Sequence, residues 1–183
     1  YDEYNCHQIV DTLDHVLDSD RQFTEKYWMN LHDTAGKVVL ATGFGYYPNR
    51  NVMDGYGCVN VGNKAQHNMR LSRELRPKTD ELIVGPLSWE VVEPLKRIRV
   101  KLDENEYGIS YDIEFDGRMP AHEEIPQVRR DKGRIFMNTC RMAQLGAVKG
   151  WIKADGRKYE VDEKSWRAQR DHSWGIRMGV GAP

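Results

Sequence analysis

The chain has 183 residues, enough for one large hydrophobic core and too few for two comfortable domains. Its 27 basic and 28 acidic residues are interspersed and leave a net charge of −1, which argues against a nucleic-acid footprint or a polybasic membrane patch. Three scattered cysteines, Cys6, Cys58 and Cys140, with no CxxC and no histidines at metal-ligand spacing, point to a reduced, cytoplasmic setting and to no metal centre.

No apolar run is long enough to span a bilayer, and no basic-then-apolar leader stands at the front. The chain opens on Tyr1 rather than Met, so we expect residues to have preceded it. Between Cys6 and Asp18, residues Ile9, Leu13, Val16 and Leu17 recur at helical spacing and predict one short helix. After Asp20 the period changes to two. Tyr27 to Leu31 and Lys37 to Phe44 are predicted strands, joined by the turn Asp33-Thr34-Ala35-Gly36.

Lys96 to Leu102 and Ile109 to Phe115 predict a hairpin with a defined register. Pairing Leu102 with Ile109 sets Val100 against Tyr111 and Ile98 against Ile113, and on the other face Arg99 against Asp112 and Arg97 against Glu114. Met119 to Pro126 is a proline-bounded loop, and Gly133 to Gln144 another strand. A second hairpin turns on Asp155-Gly156, a pair that tolerates positive φ, with Ile152 facing Tyr159, Lys153 facing Lys158 and Trp151 facing Glu160. About ten short strands with Gly and Asp turns define an all-β antiparallel barrel or sandwich. The longest irregular run, Tyr47 to Asp54, is polar and aromatic enough to line a mouth or a dimer contact.

The densest chemistry lies at Arg170-Asp171-His172-Ser173-Trp174-Gly175-Ile176-Arg177. Adjacent strand residues point to opposite faces, so Asp171 shares a face with Ser173 and His172 shares one with Trp174. An Asp171–His172 dyad is therefore disfavoured, and two faces remain, one acidic and one aromatic. A buried Asp171 would have a raised pKa and could donate a proton. It could equally just accept hydrogen bonds from Arg141 or a neighbouring strand. Arg141, if inward, needs a carboxylate, for which Asp171, Glu123 and Glu124 are candidates. His122-Glu123-Glu124 lacks the second histidine of a zinc helix, and Gly43-Phe44-Gly45 does not complete a dinucleotide fingerprint.

Asp171 to Gly175, with the strand Gly150-Trp151-Ile152 and the Asp155-Gly156 turn, resembles the lipocalin-like superfamily that includes AttH proteins and carotenoid 1,2-hydratases. Segments Gly43 to Asn49, Ser72 to Leu75, Val84 to Leu87, Glu93 to Leu95, Pro120 to Glu124 and Cys140 to Gln144 are similar to a bacterial branch of it. The resemblance implies a lipocalin-like β domain over 1–183 that is the first half of a two-domain protein. It also implies a cofactor-independent hydratase, isomerase or cyclase acting by acid-base catalysis on an apolar, isoprenoid-like unsaturated molecule. Asp171 would be the proton donor and His172 a base for water, with Trp174 and Tyr47 stabilising a cation and Arg141, Gln144 and Glu123 contacting substrate. The partner would be the missing C-terminal β domain or a second copy. An enclosed apolar cavity walled by Asp171 or Glu123 is expected. The alternative is a non-catalytic binding protein for a lipid or terpenoid.

Overall fold

Residues 3–4, 15–62 and 64–179 are described by the computed structural model. In chain order the strands are β1 (Phe23–Asp33), β2 (Val38–Tyr47), β3 (Val52–Val61), β4 (Ala65–Glu74), β5 (Ile83–Val84), β6 (Leu87–Glu93) and β7 (Arg97–Leu102). They continue with β8 (Ser110–Gly117), β9 (His122–Glu123), β10 (Gln127–Asp131), β11 (Arg134–Ala154), β12 (Arg157–Val161) and β13 (Trp166–Arg177). One antiparallel sheet runs β4-β3-β2-β1-β13-β11-β8-β7-β6-β5, with β9, β10 and β12 also paired to β11. At the ends of that order β5 lies against β3 and β4, so the sheet curls into a nearly closed barrel. The expected all-β antiparallel class holds. The expected helix between Cys6 and Asp18 lies largely outside the described residues, and residues 15–18 are not helical. No helix among the described residues is long and apolar enough to cross a membrane.

Strict alternation sorts the side chains into an inner and an outer face. Tyr27, Met29 and Leu31 of β1 are buried inside with Leu40, Phe44 and Tyr46 of β2, while Trp28 and Lys26 point the other way. Each large apolar side chain removed from water contributes about 1.5–3 kcal/mol, so this inner face drives closure. It is packed rather than hollow. At Gly57 of β3 a Cβ would come within 2.8 Å of the Tyr111 hydroxyl, which bonds Thr42 Oγ1 at 2.7 Å across the barrel.

The Asp155-Gly156 hairpin has the expected register, with Ile152, Lys153 and Trp151 opposite Tyr159, Lys158 and Glu160. The Lys153–Lys158 apposition is relieved because Lys153 reaches Glu104 and Lys158 reaches Glu160. The β7–β8 hairpin is displaced by two residues from the expected register: Leu102 faces Tyr111, Val100 faces Ile113 and Ile98 faces Phe115. A two-residue slip keeps every side chain on its expected face, and only the partners change. The loop decides the difference. Asn105 bonds the carbonyls of Asp103 and Ile109 and the Tyr107 amide, which fixes a longer connection and leaves Ile109 outside the ladder. Arg99 still reaches Asp112, now as a diagonal neighbour, through two bonds of 2.9 and 2.7 Å.

The strand expected to end at Gln144 continues to Ala154 and becomes the spine of the sheet. One of its edges carries β13 and then β12, and the other carries β10, β9 and β8. On the far side, Arg73 of β4 closes the barrel through the loop to β5. Its guanidinium donates to the carbonyls of Ile83, Glu74, Leu75, Lys78 and Glu81 at 2.7–2.9 Å.

Candidate functional site

In β13, His172 pairs with Tyr27 and Met142 on its two flanks, whereas Asp171 pairs with Trp28 and Ala143. Parity therefore separates them, and the two residues do not meet. His172 lies inside the barrel, 1% exposed, its Nε2 2.6 Å from Glu25 Oε1. The Tyr27 hydroxyl donates to the same oxygen at 3.0 Å, and its ring stacks on the imidazole at 4.2 Å. Trp174 follows on this face, 5.1 Å from His172. One position earlier on the same face, Arg170 donates to both oxygens of Glu3 at 3.1 and 2.6 Å, and to Gln144 Oε1. Gln144 in turn donates to the carbonyls of Leu95 and Met119. These groups are saturated by one another within the core.

The outer face differs. There the sheet β4-β3-β2-β1-β13-β11 forms a depression of about 520 Å³, open to one side, lined by Asp171, Ser173 and Arg141 together with Lys26, Trp28, Tyr47, Asp54, Tyr56, Arg70 and Arg177. This corrects the expectation of an enclosed apolar cavity: Asp171 stands in an open, mixed polar and aromatic recess. Glycines in β2 make the seats for its aromatic rings. A Cβ at Gly43 would come 3.0 Å from the Tyr56 hydroxyl, and one at Gly45 would strike the Tyr47 hydroxyl and Asp54. Tyr47 donates to Asp54 Oδ2 at 3.0 Å, so one wall is a hydrogen-bonded phenol and carboxyl.

Burial raises the pKa of Asp171, opposed by the charge of Arg141. Asp54 is raised for the same reason, opposed by its bond from Tyr47 and by Lys26. The Tyr56 hydroxyl is pushed up to about 12 by burial and by the carboxylate of Asp171. Lys26 moves downward, chiefly through burial and further through Arg177, so its ammonium is less firmly protonated than a free lysine's. The recess thus holds two carboxyls biased toward the neutral acid beside cations and ring faces, an arrangement suited to giving a proton to a bound molecule.

Of the residues marked in the sequence, Asp171, Tyr47 and Arg141 come together here, whereas His172, Trp174 and Gln144 belong to the inner face. Glu123 is exposed on β9, and the carboxylate beside Arg141 is Glu124, at 3.5 Å. The sequence reading gave no site role to Lys26, Trp28, Tyr56 or Arg70, and held Asp54 and Arg177 only as the ends of longer segments. A signal for two of them existed: in Asp54-Gly55-Tyr56-Gly57 the polar residues alternate with glycine, next to Gly43 and Gly45 in a neighbouring strand. No group of three or more His, Cys, Asp or Glu residues among the described residues could hold a metal ion.

The fold is a nearly closed, all-β antiparallel barrel of lipocalin-like type, with an open recess on its outer face. Over residues 1–183 the chain belongs to a family of unknown function, DUF8625. Among solved structures it is similar to kievitone hydratase from Nectria haematococca, with a TM-score of 0.60 and 15% identity over 95% of this chain and 54% of that one. It is also similar to CghA, solved with Sch210972, with a TM-score of 0.50 and 10% identity over 84% of this chain and 46% of that one. At such identities the likeness shows the fold, and the chain spans about half the length of either neighbour. No curated protein gives a significant match.

Proposed function

We propose that this chain is the catalytic half of a cofactor-independent hydratase, or of a related isomerase or cyclase, acting on a small unsaturated molecule in the outer-face recess. The observation that carries this reading is Asp171, a half-buried carboxyl with its pKa raised, standing in a concave site with Trp28, Tyr47 and Tyr56. A similar fold in a named hydratase supports it.

In the proposed step the Asp171 carboxyl gives its proton to one alkene carbon. The π pair forms the new C–H bond, and the neighbouring carbon becomes a cation faced by the aromatic rings. Water adds to that carbon and its proton returns to the Asp171 carboxylate, so the net change is addition of one water. Loss of a different proton, or attack by a second alkene of the same molecule, would give isomerisation or cyclisation from the same cation. His172, held by Glu25 inside the barrel, is assigned a packing role rather than that of the base. The open side of the recess would be covered by a second β domain of the same protein or by a second copy, which would exclude water other than the reacting one.

The test is a mass-spectrometric screen of alkenyl aromatic and isoprenoid compounds in H₂¹⁸O, reading gain of labelled water. Uptake with the native chain and its loss in Asp171→Asn supports the reading, and undiminished turnover by the folded variant overturns it. The second reading, a binding protein for a lipid or terpenoid, is favoured by the openness of the recess in the isolated chain. It is distinguished by binding without chemical change.

A further inference from the structure

The recess is not electrically neutral. Four cationic residues, Lys26, Arg70, Arg141 and Arg177, line it against two acids, Asp54 and Asp171, in a chain whose overall charge is −1. Glu124 offsets Arg141 from outside, which leaves one positive charge over even with both acids ionised. Burial favours the neutral form of both acids and, with the opposite effect on the balance, of Lys26, so the lasting positive charge of the recess is that of its three arginines. An adjoining recess of about 580 Å³ shares Lys26, Tyr47, Asp54 and Arg177 and adds a further cation, Arg50.

Arg141 supplies the second, independent sign. Its contact with Glu124 is a long 3.5 Å, made through Nη1, and its side chain, which lines the recess, is about a third exposed. A single long contact does not use the whole guanidinium, whose planar fork is shaped to give two parallel bonds to a carboxylate. The ring faces of Trp28, Tyr47 and Tyr56 complete a site with one charged corner and a flat apolar wall.

Resting on the reading that this recess is the ligand site, we infer that its ligand is a monoanion: a flat, unsaturated or aromatic body carrying one carboxylate, held by Arg141 with Arg70 and Lys26 around it. The carboxylate fixes the orientation and the rings hold the body against Asp171. A purely hydrocarbon ligand would leave the arginines uncompensated under any covering domain.

Naphthalene-2-carboxylate and its methyl ester share one body and differ by the charge, and calorimetric titration of the full chain with each is the test. We expect the carboxylate to bind at least about tenfold tighter than the ester. Arg141→Met should erase that preference while keeping the ester's affinity, and Arg70→Met, a second variant should the first fail to fold, should reduce it. Equal affinities, failure of both compounds to bind, or an unchanged preference in folded Arg141→Met overturns the inference. Asp171→Asn separates this result from the catalytic one. It should keep or strengthen carboxylate binding while losing turnover. Charge preference without any turnover overturns only the catalytic reading, and turnover with indifference to charge overturns only this one.

Discussion

His172 Nε2 and Glu25 Oε1 lie 2.6 Å apart inside the barrel, with both side chains withdrawn from water and the Tyr27 hydroxyl on the same oxygen. An imidazole so placed in a motif dense in reactive groups invites a catalytic role, but its surroundings are those of a core brace. Breaking a buried pair by removing one partner costs about 3–5 kcal/mol, because the other loses its strongest compensating contact in a place closed to water. Glu25→Ala and His172→Ala should each lower stability by about that amount. The double variant should cost less than the sum, as a thermodynamic cycle from chemical denaturation would show. Additive losses would mean that the two groups do not act as a pair.

Asp171→Asn should behave in the opposite way. The unfolded carboxyl titrates near 3.8 and the folded one higher, because burial disfavours its anion. The folded state therefore binds the proton more tightly. The stability that Asp171 contributes is present below the unfolded value and is lost as pH rises through the folded value. The variant should be at least as stable as the native chain at neutral pH, with the advantage shrinking as the solution is acidified toward about pH 4. Thermal melts across this range check the sign. Native turnover should fall as pH rises through the same group, and the variant should lose about a hundredfold or more in rate.

Much of this arrangement was legible because period-two alternation is a strong signal. That Asp171 and His172 take opposite faces, and the sides of the β7–β8 hairpin, follow from parity, and the Asp155-Gly156 turn adds the register of its hairpin, but which of the two residues faces inward does not follow. What parity does not give is the order of strands. Lys26, Asp54, Arg70 and Arg141 lie on four strands, β1, β3, β4 and β11, that only the curled sheet gathers on one face. Nor does it give loop length, which moved the β7–β8 partners by two residues, or the sense of an arginine. Arg170 is buried with Glu3, 167 positions away in sequence.

Gly175 tests the backbone of the motif. It sits in β13 at φ +125, a region that L side chains rarely adopt, and a Cβ there would land on the Asn138 carbonyl oxygen of the paired strand β11. Backbone strain of this kind costs about 1–3 kcal/mol before the contact is counted. Gly175→Ala should therefore destabilise by at least about 2 kcal/mol. Gly156→Ala, also at positive φ (+68) but with open space around it, should cost less. Equal losses in urea unfolding would place the effect in the dihedral alone and leave the close approach of β11 and β13 without consequence.

Arg73 holds the barrel shut by a different means, since its five bonds all go to main-chain carbonyls in the connection between β4 and β5. No other group in that loop gathers so many acceptors among the described residues, and bonds from a charged donor are worth more than neutral ones. Arg73→Ala should cost about 1–3 kcal/mol in global stability. It should also raise amide exchange in β5 and residues 75–82 well above that in β1 and β13, because the loop can open locally while the long central strands stay paired. Arg73→Lys offers three donors on a narrow head and should rescue only part of the loss. Uniform exchange throughout the sheet in Arg73→Ala would show instead that the barrel opens as one unit and that Arg73 is not its latch.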